Sequence, residues 1–133
     1  MLVGCSSLPD IKPLQNWNVS IGKDFRCMFI VCSSLSDYRI GWFQIEIYFG
    51  YMLSGCSSLS DVRLLHYRNV SNGNNFRYML YECSSLSDIK PLQNWSVSND
   101  NNFGGMFLRC SSLSDIKPLQ NWKISKNLYK SMF

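Results

Sequence analysis

The fold is decided by the stretch Cys83-Ser84-Ser85-Leu86-Ser87-Asp88-Ile89-Lys90-Pro91-Leu92-Gln93-Asn94-Trp95, because close variants of it recur along the chain. The motif Cys-Ser-Ser-Leu at its start occurs five times in the chain, at Cys5, Cys32, Cys56, Cys83 and Cys110. The spacings between copies are 27, 24, 27 and 27 residues. Five copies at a nearly constant period are the signature of a tandem repeat, whose units stack to share one apolar core. We therefore predict a single domain over 1–133, with units at approximately 1–27, 28–51, 52–78, 79–105 and 106–133.

The first half of each unit reads as a short strand. Polar, apolar and polar residues alternate at Asp88-Ile89-Lys90 and at the equivalent positions of the other units, which is typical of a strand with one buried side chain. Proline follows the lysine in three copies, at Pro13, Pro91 and Pro118. Its nitrogen cannot donate to a ladder, so the strand should end there. A second extended piece is predicted at Trp95-Ser96-Val97.

The second half of each unit reads as a short helix. Phe76, Met79, Leu80 and Cys83 have the i, i+3, i+4, i+7 spacing of one helical face, and the spacing recurs from Phe103 to Cys110. The predicted fold class is therefore an α/β repeat. We expect a leucine-rich-repeat-like solenoid of about five coils, each with a short parallel strand and a short helical segment.

Stacking should turn each repeated apolar position into a buried row. The leucine row consists of Leu8, Leu35, Leu59, Leu86 and Leu113. Trp17, Trp95 and Trp122 share another position, where core packing is favoured over an aromatic ligand-binding row.

The cysteines form a row of their own, since five of the six occupy one position of the repeat. Zinc would need paired ligands at short spacing, and the chain has no Cys-x-x-Cys and a single histidine, His66. Disulfides between neighbouring units would strain a regular stack, so we expect a row of small buried thiols and no metal site. Reduced cysteines leave the compartment open.

Two charged positions of the repeat, two residues apart, define what we call the charged stripe. Its members are Asp10, Lys12, Asp37, Arg39, Asp61, Arg63, Asp88, Lys90, Asp115 and Lys117. Rows of opposite sign neutralise each other when they are adjacent, which favours a solvated, self-paired face. The alternative is a partner-binding stripe on the exposed strand surface, the usual binding face of such repeats.

Outside the stripe, Arg26, Arg77 and Arg109 recur near the predicted helical segment. They are either scattered surface charges or contacts for an anionic partner.

Three recurring motifs carry a family resemblance: Cys83-Ser84-Ser85-Leu86, Trp95-Ser96-Val97-Ser98 and Met106-Phe107. The unit resembles the BspA-like leucine-rich repeats of bacterial and protist surface proteins. It is also similar to the repeats of bacterial lipoproteins in which Trp-x-Val-Ser precedes a Met-Phe pair. The resemblance implies an exposed solenoid, located at the cell surface or secreted, that serves adhesion or protein binding without catalysis. It brings no functional residues to transfer.

Composition and motifs narrow the function further. A net charge of +4 without a basic cluster argues against nucleic acid, and no run of apolar residues is long enough to span a membrane. We find no constellation of unlike catalytic residues and no phosphate-binding glycine loop, so we predict no enzyme, no catalytic residue and no cofactor. The leading interpretation is a binding or adhesion module for a protein or glycan ligand. The alternative is a structural fragment of a longer array, or a decayed copy, without a dedicated ligand.

The ends and the second unit depart from a regular array. Residues 1–5 align with residues 52–56, and the chain stops at nearly the same phase, without a polar capping unit or a signal peptide. We expect a fragment, a chain that self-associates end to end, or a small array with frayed termini, and leave the localisation open.

The second unit reads Trp42-Phe43-Gln44-Ile45-Glu46-Ile47-Tyr48-Phe49 where other units have Trp-x-Val-Ser. A shifted reading frame in the coding DNA would explain this difference, and it predicts no functional site in that unit.

Overall fold

The computed structural model of the chain describes residues 4–9, 24, 26–36, 48–65 and 75–133. Three 3-10 helices lie within them, at Arg63–Leu65, Lys90–Asn94 and Lys117–Asn121, followed by one α-helix, α1, at Lys126–Lys130. Parallel pairing between units is limited to isolated bridges, which join Asp24 to Tyr48, Tyr48 to Asn75, Asn75 to Asn102, and Asp61 to Asp88. Successive repeats therefore lie side by side in parallel register, mostly through turns.

The predicted α/β leucine-rich-repeat solenoid of about five coils, each with a strand and a helix, is wrong. The described part of the chain holds no regular strand or sheet, and its single α-helix occurs near the C-terminus rather than once in each unit. The division of 1–133 into five units stays a prediction. No helix among the described residues has the length and apolar character that crossing a membrane requires.

The predicted strand at Asp88-Ile89-Lys90 is a turn that leads into a 3-10 helix. Asp88 pairs with Asp61 through one bridge, but Ile89 already has φ −116° and ψ 14°, and Lys90 begins the helix. Pro91 does not end a strand here. Its fixed φ suits the first turn of a helix, where its missing N–H would be unpaired in any case. The alternation of polar and apolar residues thus marks a turn with one buried side chain, Ile89, which is 1% exposed.

The predicted helix from 75 to 83 is a chain of turns. Tyr78 and Glu82 have φ of 55° and 58°, values that a right-handed helix does not contain. The amides alternate in their partners: those of Met79, Tyr81 and Cys83 donate three residues back within the unit. Those of Phe76, Tyr78, Leu80 and Glu82 donate instead to Asn102, Gly104, Met106 and Leu108 of the next unit. Half of the backbone donors therefore join neighbouring units, as in a sheet, while the other half close turns.

The buried rows predicted from the repeat are present. Leu35, Leu59 and Leu86 are at most 1% exposed, while Leu8 and Leu113 pack partly buried against the same core. Phe49, Phe76 and Phe103 form a continuous stack with ring centres 5.3 Å apart at each step. Because Phe49 belongs to the irregular second unit, that unit still contributes its aromatic side chain to the core.

The two described tryptophans are core residues, as predicted. The rings of Trp95 and Trp122 lie 5.9 Å apart and 5° from parallel. Each indole N–H donates to a carbonyl of the preceding unit, from Trp95 to Leu65 at 2.7 Å and from Trp122 to Leu92 at 2.9 Å. The third tryptophan, Trp17, lies outside the described residues. Trp95 has an extended backbone, but the predicted second strand at Trp95-Ser96-Val97 pairs with no described residue.

Candidate functional site

Six members of the charged stripe lie within the described residues. Asp10, Lys12, Asp37 and Arg39 lie outside them. The remaining six fall where each 3-10 helix begins: an aspartate stands two residues before it and a lysine or arginine is its first residue. The structure thus brings the stripe residues to the same place in three successive units, although on turns and helices rather than on strands.

The aspartates of the stripe shape the backbone. One carboxylate oxygen of each accepts a hydrogen bond from the amide two residues later, with N–O distances of 3.0 Å at Asp61, 2.9 Å at Asp88 and 2.9 Å at Asp115. This side-chain turn fixes the direction in which the 3-10 helix leaves. The aspartate row therefore has a structural role that its alternation with basic residues did not reveal.

The basic half of the stripe is more available for binding. Lys90 and Lys117 are exposed, and neither ammonium group forms an ion pair with a described carboxylate. Arg63 differs, because its guanidinium donates two hydrogen bonds to Asp61, at 2.8 and 2.5 Å. These bonds hold the pKa of Asp61 below its usual value. Among the described stripe residues, the predicted pairing between the acidic and the basic row is therefore present only between Asp61 and Arg63 of the third unit.

Four of the five cysteines of the row are buried, as predicted, and the fifth, Cys5, is partly exposed. Cys32, Cys56, Cys83 and Cys110 are at most 8% exposed, whereas Cys5 and Cys27 are partly exposed. The thiols of Cys56, Cys83 and Cys110 lie 3.1 to 3.2 Å from carbonyl oxygens of the preceding unit, those of Phe29, Leu53 and Leu80. Burial raises the pKa of Cys56 to about 12 and that of Cys110 to about 11, and raises the pKa of Cys83 well above its usual value. Thiols held protonated in this way are poor nucleophiles and poor metal ligands. In the described part of the chain, no group of three or more His, Cys, Asp or Glu side chains is placed to hold a metal ion.

A second polar surface lies on the turns that replace the predicted helix, and it combines the three arginines singled out in the sequence with tyrosines that sequence reasoning missed. We call it the tyrosine–arginine ridge, and its residues are Arg26, Tyr48, Tyr51, Arg77, Tyr78, Tyr81, Glu82 and Arg109. The guanidinium groups of Arg26, Arg77 and Arg109 lie 5.8, 5.0 and 5.8 Å from the ring centres of Tyr48, Tyr78 and Tyr81. The rings of Tyr51 and Tyr78, at equivalent positions of neighbouring units, lie 5.0 Å apart. The signal in the sequence was the shared phase of these two tyrosines, which a helical interpretation concealed.

Carboxylates neutralise both ends of this ridge. Arg26 forms an ion pair with Asp24 at 2.6 Å, and its side-chain hydrogen bond lowers the pKa of Asp24 to about 2. Arg109 pairs with Glu82 of the preceding unit at 2.6 Å, which lowers the pKa of that carboxyl group. Arg77, between them, forms no ion pair with any described residue. Among the described residues, the centre of the ridge therefore carries a positive charge that no carboxylate compensates.

A comparison with protein families identifies the repeat. The model of a family described as "Mycoplasma protein of unknown function, DUF285" matches residues 48–133. The chain belongs to the DUF285 family. No curated protein matches the chain.

One similar solved structure is that of a leucine-rich cell surface protein from Faecalibacterium prausnitzii A2-165, with 13% sequence identity and a TM-score of 0.47. The match covers 80% of this chain and 25% of that one, so this chain spans about a quarter of the length of that protein.

Proposed function

We propose that this protein is a non-catalytic binding module that contacts a protein or glycan through the basic half of its charged stripe. The observation that carries the proposal is the equivalent placement of Lys90 and Lys117, which are both exposed and unpaired among the described residues. Their backbone amides are held by Asp88 and Asp115, so each lysine starts from a fixed position. Preorganised contacts of this kind favour binding because less conformational freedom is lost.

The buried, protonated thiols support the non-catalytic part of the proposal. Cys32, Cys56, Cys83 and Cys110 are buried, which removes these four thiols from solvent. The resemblance to BspA-like surface repeats supports a location at the cell surface and a role in adhesion, and both belong to this proposal.

Charge reversal of the stripe tests the proposal. The labelled chain and its Lys90→Glu/Lys117→Glu variant are applied to a glycan array and to a peptide array. A Lys123→Glu/Lys126→Glu variant is the matched control, because it makes the same change in net charge at exposed positions outside the stripe. Arg63 is left intact because its reversal would set two carboxylates against each other. Thermal unfolding by circular dichroism confirms that the variants fold.

We expect binding that the stripe variant loses and the control keeps. An equal loss in both variants would assign the binding to net charge and contradict a role for the stripe. A chain that binds nothing on either array would favour the alternative, a structural repeat without a dedicated ligand.

A further inference from the structure

The backbone of the tyrosine–arginine ridge places large side chains where small ones suffice. Tyr51 and Tyr78 have φ of 59° and 55°, and the equivalent residue of the next unit is Gly105, with φ of 64°. Glu82 and Arg109 stand at a second such position, with φ of 58° and 63°, which Gly4 and Gly55 fill in other units. A left-handed conformation costs an L residue about 1–2 kcal/mol, and glycine avoids that cost. Backbone geometry therefore gives no reason for tyrosine, glutamate or arginine at these positions.

The same turns carry four of the six large hydrophobic side chains that are exposed in the described part of the chain. Val31, Tyr48, Tyr51 and Leu108 are 53%, 45%, 37% and 36% exposed. All four lie on the turn segments 26–31, 48–55, 75–82 and 102–109 of successive units. Exposed tyrosine and arginine side chains on one surface are the composition of the energetically dominant centre of protein interfaces.

The charges on the ridge select the partner. Arg26 and Arg109 already have carboxylates at its two ends, whereas Arg77 at its centre has none among the described residues. Its guanidinium lies over the ring of Tyr78, which holds it in place beside the aromatic surface. A suitable partner would therefore carry a carboxylate that pairs with the Arg77 guanidinium and apolar side chains that cover the exposed tyrosine rings.

We propose that the tyrosine–arginine ridge is a docking surface for an acidic, extended segment of another protein. In this arrangement a carboxylate of the segment pairs with Arg77, and neighbouring apolar side chains pack against Tyr51 and Tyr78. Tyr51 and Tyr78 lie against each other with their rings 33° from parallel, so they form one continuous aromatic surface. The carboxylates of Asp24 and Glu82 stand at the two ends of the ridge, so a single carboxylate at Arg77 is accommodated whereas a continuous anionic surface such as a membrane is disfavoured. This proposal concerns a different surface from the charged stripe and does not rest on it.

Fluorescence anisotropy with defined peptides tests the proposal. The probe is a labelled short peptide that repeats Leu-Leu-Glu-Glu, so that each face of the extended chain carries both residue types, and its glutamine–leucine counterpart removes only the charge. Arg77→Gln removes the charge from the centre of the ridge, and Lys123→Gln makes the same change at an exposed position outside both the ridge and the charged stripe. Tyr51→Gly removes a ring while keeping a residue that suits the left-handed backbone, as Gly105 does in another unit. Thermal unfolding by circular dichroism verifies the fold of each variant.

We expect saturable binding of the glutamate–leucine peptide, weakened about tenfold by Arg77→Gln and by Tyr51→Gly and unchanged by Lys123→Gln. The glutamine–leucine peptide should bind more weakly than its acidic counterpart. The proposal is overturned if neither peptide binds, if both bind equally, or if Arg77→Gln binds like the unmodified chain. Binding to phosphatidylserine vesicles in the absence of peptide binding would also overturn it. Because the stripe is tested by Lys90→Glu/Lys117→Glu, failure at one surface is distinguishable from failure at the other.

Discussion

At the scale of single residues, the left-handed positions set the strongest constraints on the sequence. Gly105 has φ of 64°, and a Cβ added to it would lie 2.2 Å from the ring of Tyr78. Gly4 has φ of 67°, and a Cβ added there would meet nothing within 4 Å. The two glycines therefore separate two effects, since only Gly105 combines backbone strain with a steric clash.

We predict that Gly4→Ala lowers the free energy of unfolding by about 1 kcal/mol, the cost of a left-handed alanine. Gly105→Ala should lower it by about 3 kcal/mol, because overpacking against Tyr78 adds to the strain. Urea unfolding of Gly105→Ala, Tyr78→Ala and the double variant measures the coupling. The double variant should be less destabilised than the sum of the single variants. Additive losses would show that the Tyr78 ring does not oppose a side chain at residue 105.

Val31 offers the opposite test, a substitution that should stabilise the fold. It is a β-branched residue at φ 58°, a conformation in which such residues are genuine outliers, and it is 53% exposed. Asparagine tolerates this conformation, so Val31→Asn should raise the free energy of unfolding by about 1 kcal/mol. The same substitution at Val97, which packs against the core, should lower it. Thermal unfolding of both variants is the measurement, and a loss of stability at both positions would contradict the strain argument.

At the scale of elements, each 3-10 helix depends on the aspartate that precedes it. Asp88→Ala removes the acceptor of the Lys90 amide and should lower the free energy of unfolding by about 1 kcal/mol, as the loss of a helix cap does. Asp88→Asn keeps an acceptor oxygen and should cost less. Asp100→Ala is the matched control, because it removes an exposed carboxylate that forms no side-chain hydrogen bond with a described residue. Equal effects of Asp88→Ala and Asp88→Asn in urea unfolding would assign the loss to charge instead of the turn.

The elements also show why part of the fold could be predicted from the sequence and part could not. The buried side chains of each unit could be predicted, because the period of the cysteines and leucines determines which positions stack on one another in neighbouring units. The backbone conformation could not be predicted, because the i, i+3, i+4, i+7 spacing from Phe76 to Cys83 fits both a helix and a chain of turns. What distinguishes the two is the left-handed conformation of Tyr78 and Glu82, and neither residue type indicates it. The glycines at the equivalent positions, Gly105 and Gly55, were the only available signal.

The candidate sites also could be predicted from the sequence only in part. The charged stripe could be predicted, since it depends only on charges that recur at one phase of the repeat. The different roles of its two halves could not, because the bonds from Asp88 and Asp115 to backbone amides arise from turns that were taken for strands. The arginines of the tyrosine–arginine ridge could be recognised from their recurrence, but the tyrosines beside them were missed for a similar reason. A helix would have placed Tyr51 and Tyr78 differently, whereas the turns bring them to one surface.

At the scale of the whole molecule, the cysteine row joins the units through its thiols. Each of Cys56, Cys83 and Cys110 donates to a carbonyl of the preceding unit from a buried position, so the row extends through the stacked core. The stability of such an array is approximately the sum of its units and of the interfaces between them. Ionisation of one buried thiol would therefore weaken the interface on which its neighbours depend.

We predict from this row that the protein loses stability at alkaline pH. The unfolded thiols ionise near pH 9.0, whereas burial holds Cys110 and Cys56 protonated until about pH 11 and about pH 12. The folded state thus binds more protons than the unfolded state above about pH 9, and stability falls as the pH rises through that window. Each thiol contributes at most about 1.4 kcal/mol per pH unit to this decline.

Urea unfolding at about pH 8 and about pH 10 measures the decline, and a Cys56→Ala/Cys83→Ala/Cys110→Ala variant assigns it to the row. The triple variant should show a smaller difference between the two pH values, whatever its absolute stability. Tyrosines that ionise in the same range are common to both proteins, so the difference between them isolates the thiols. Cys27→Ala, which removes a partly exposed thiol, should behave like the unmodified chain. An unchanged pH dependence in the triple variant would show that the thiols do not remain protonated inside the fold, and would open the row to the metal and redox chemistry that burial now argues against.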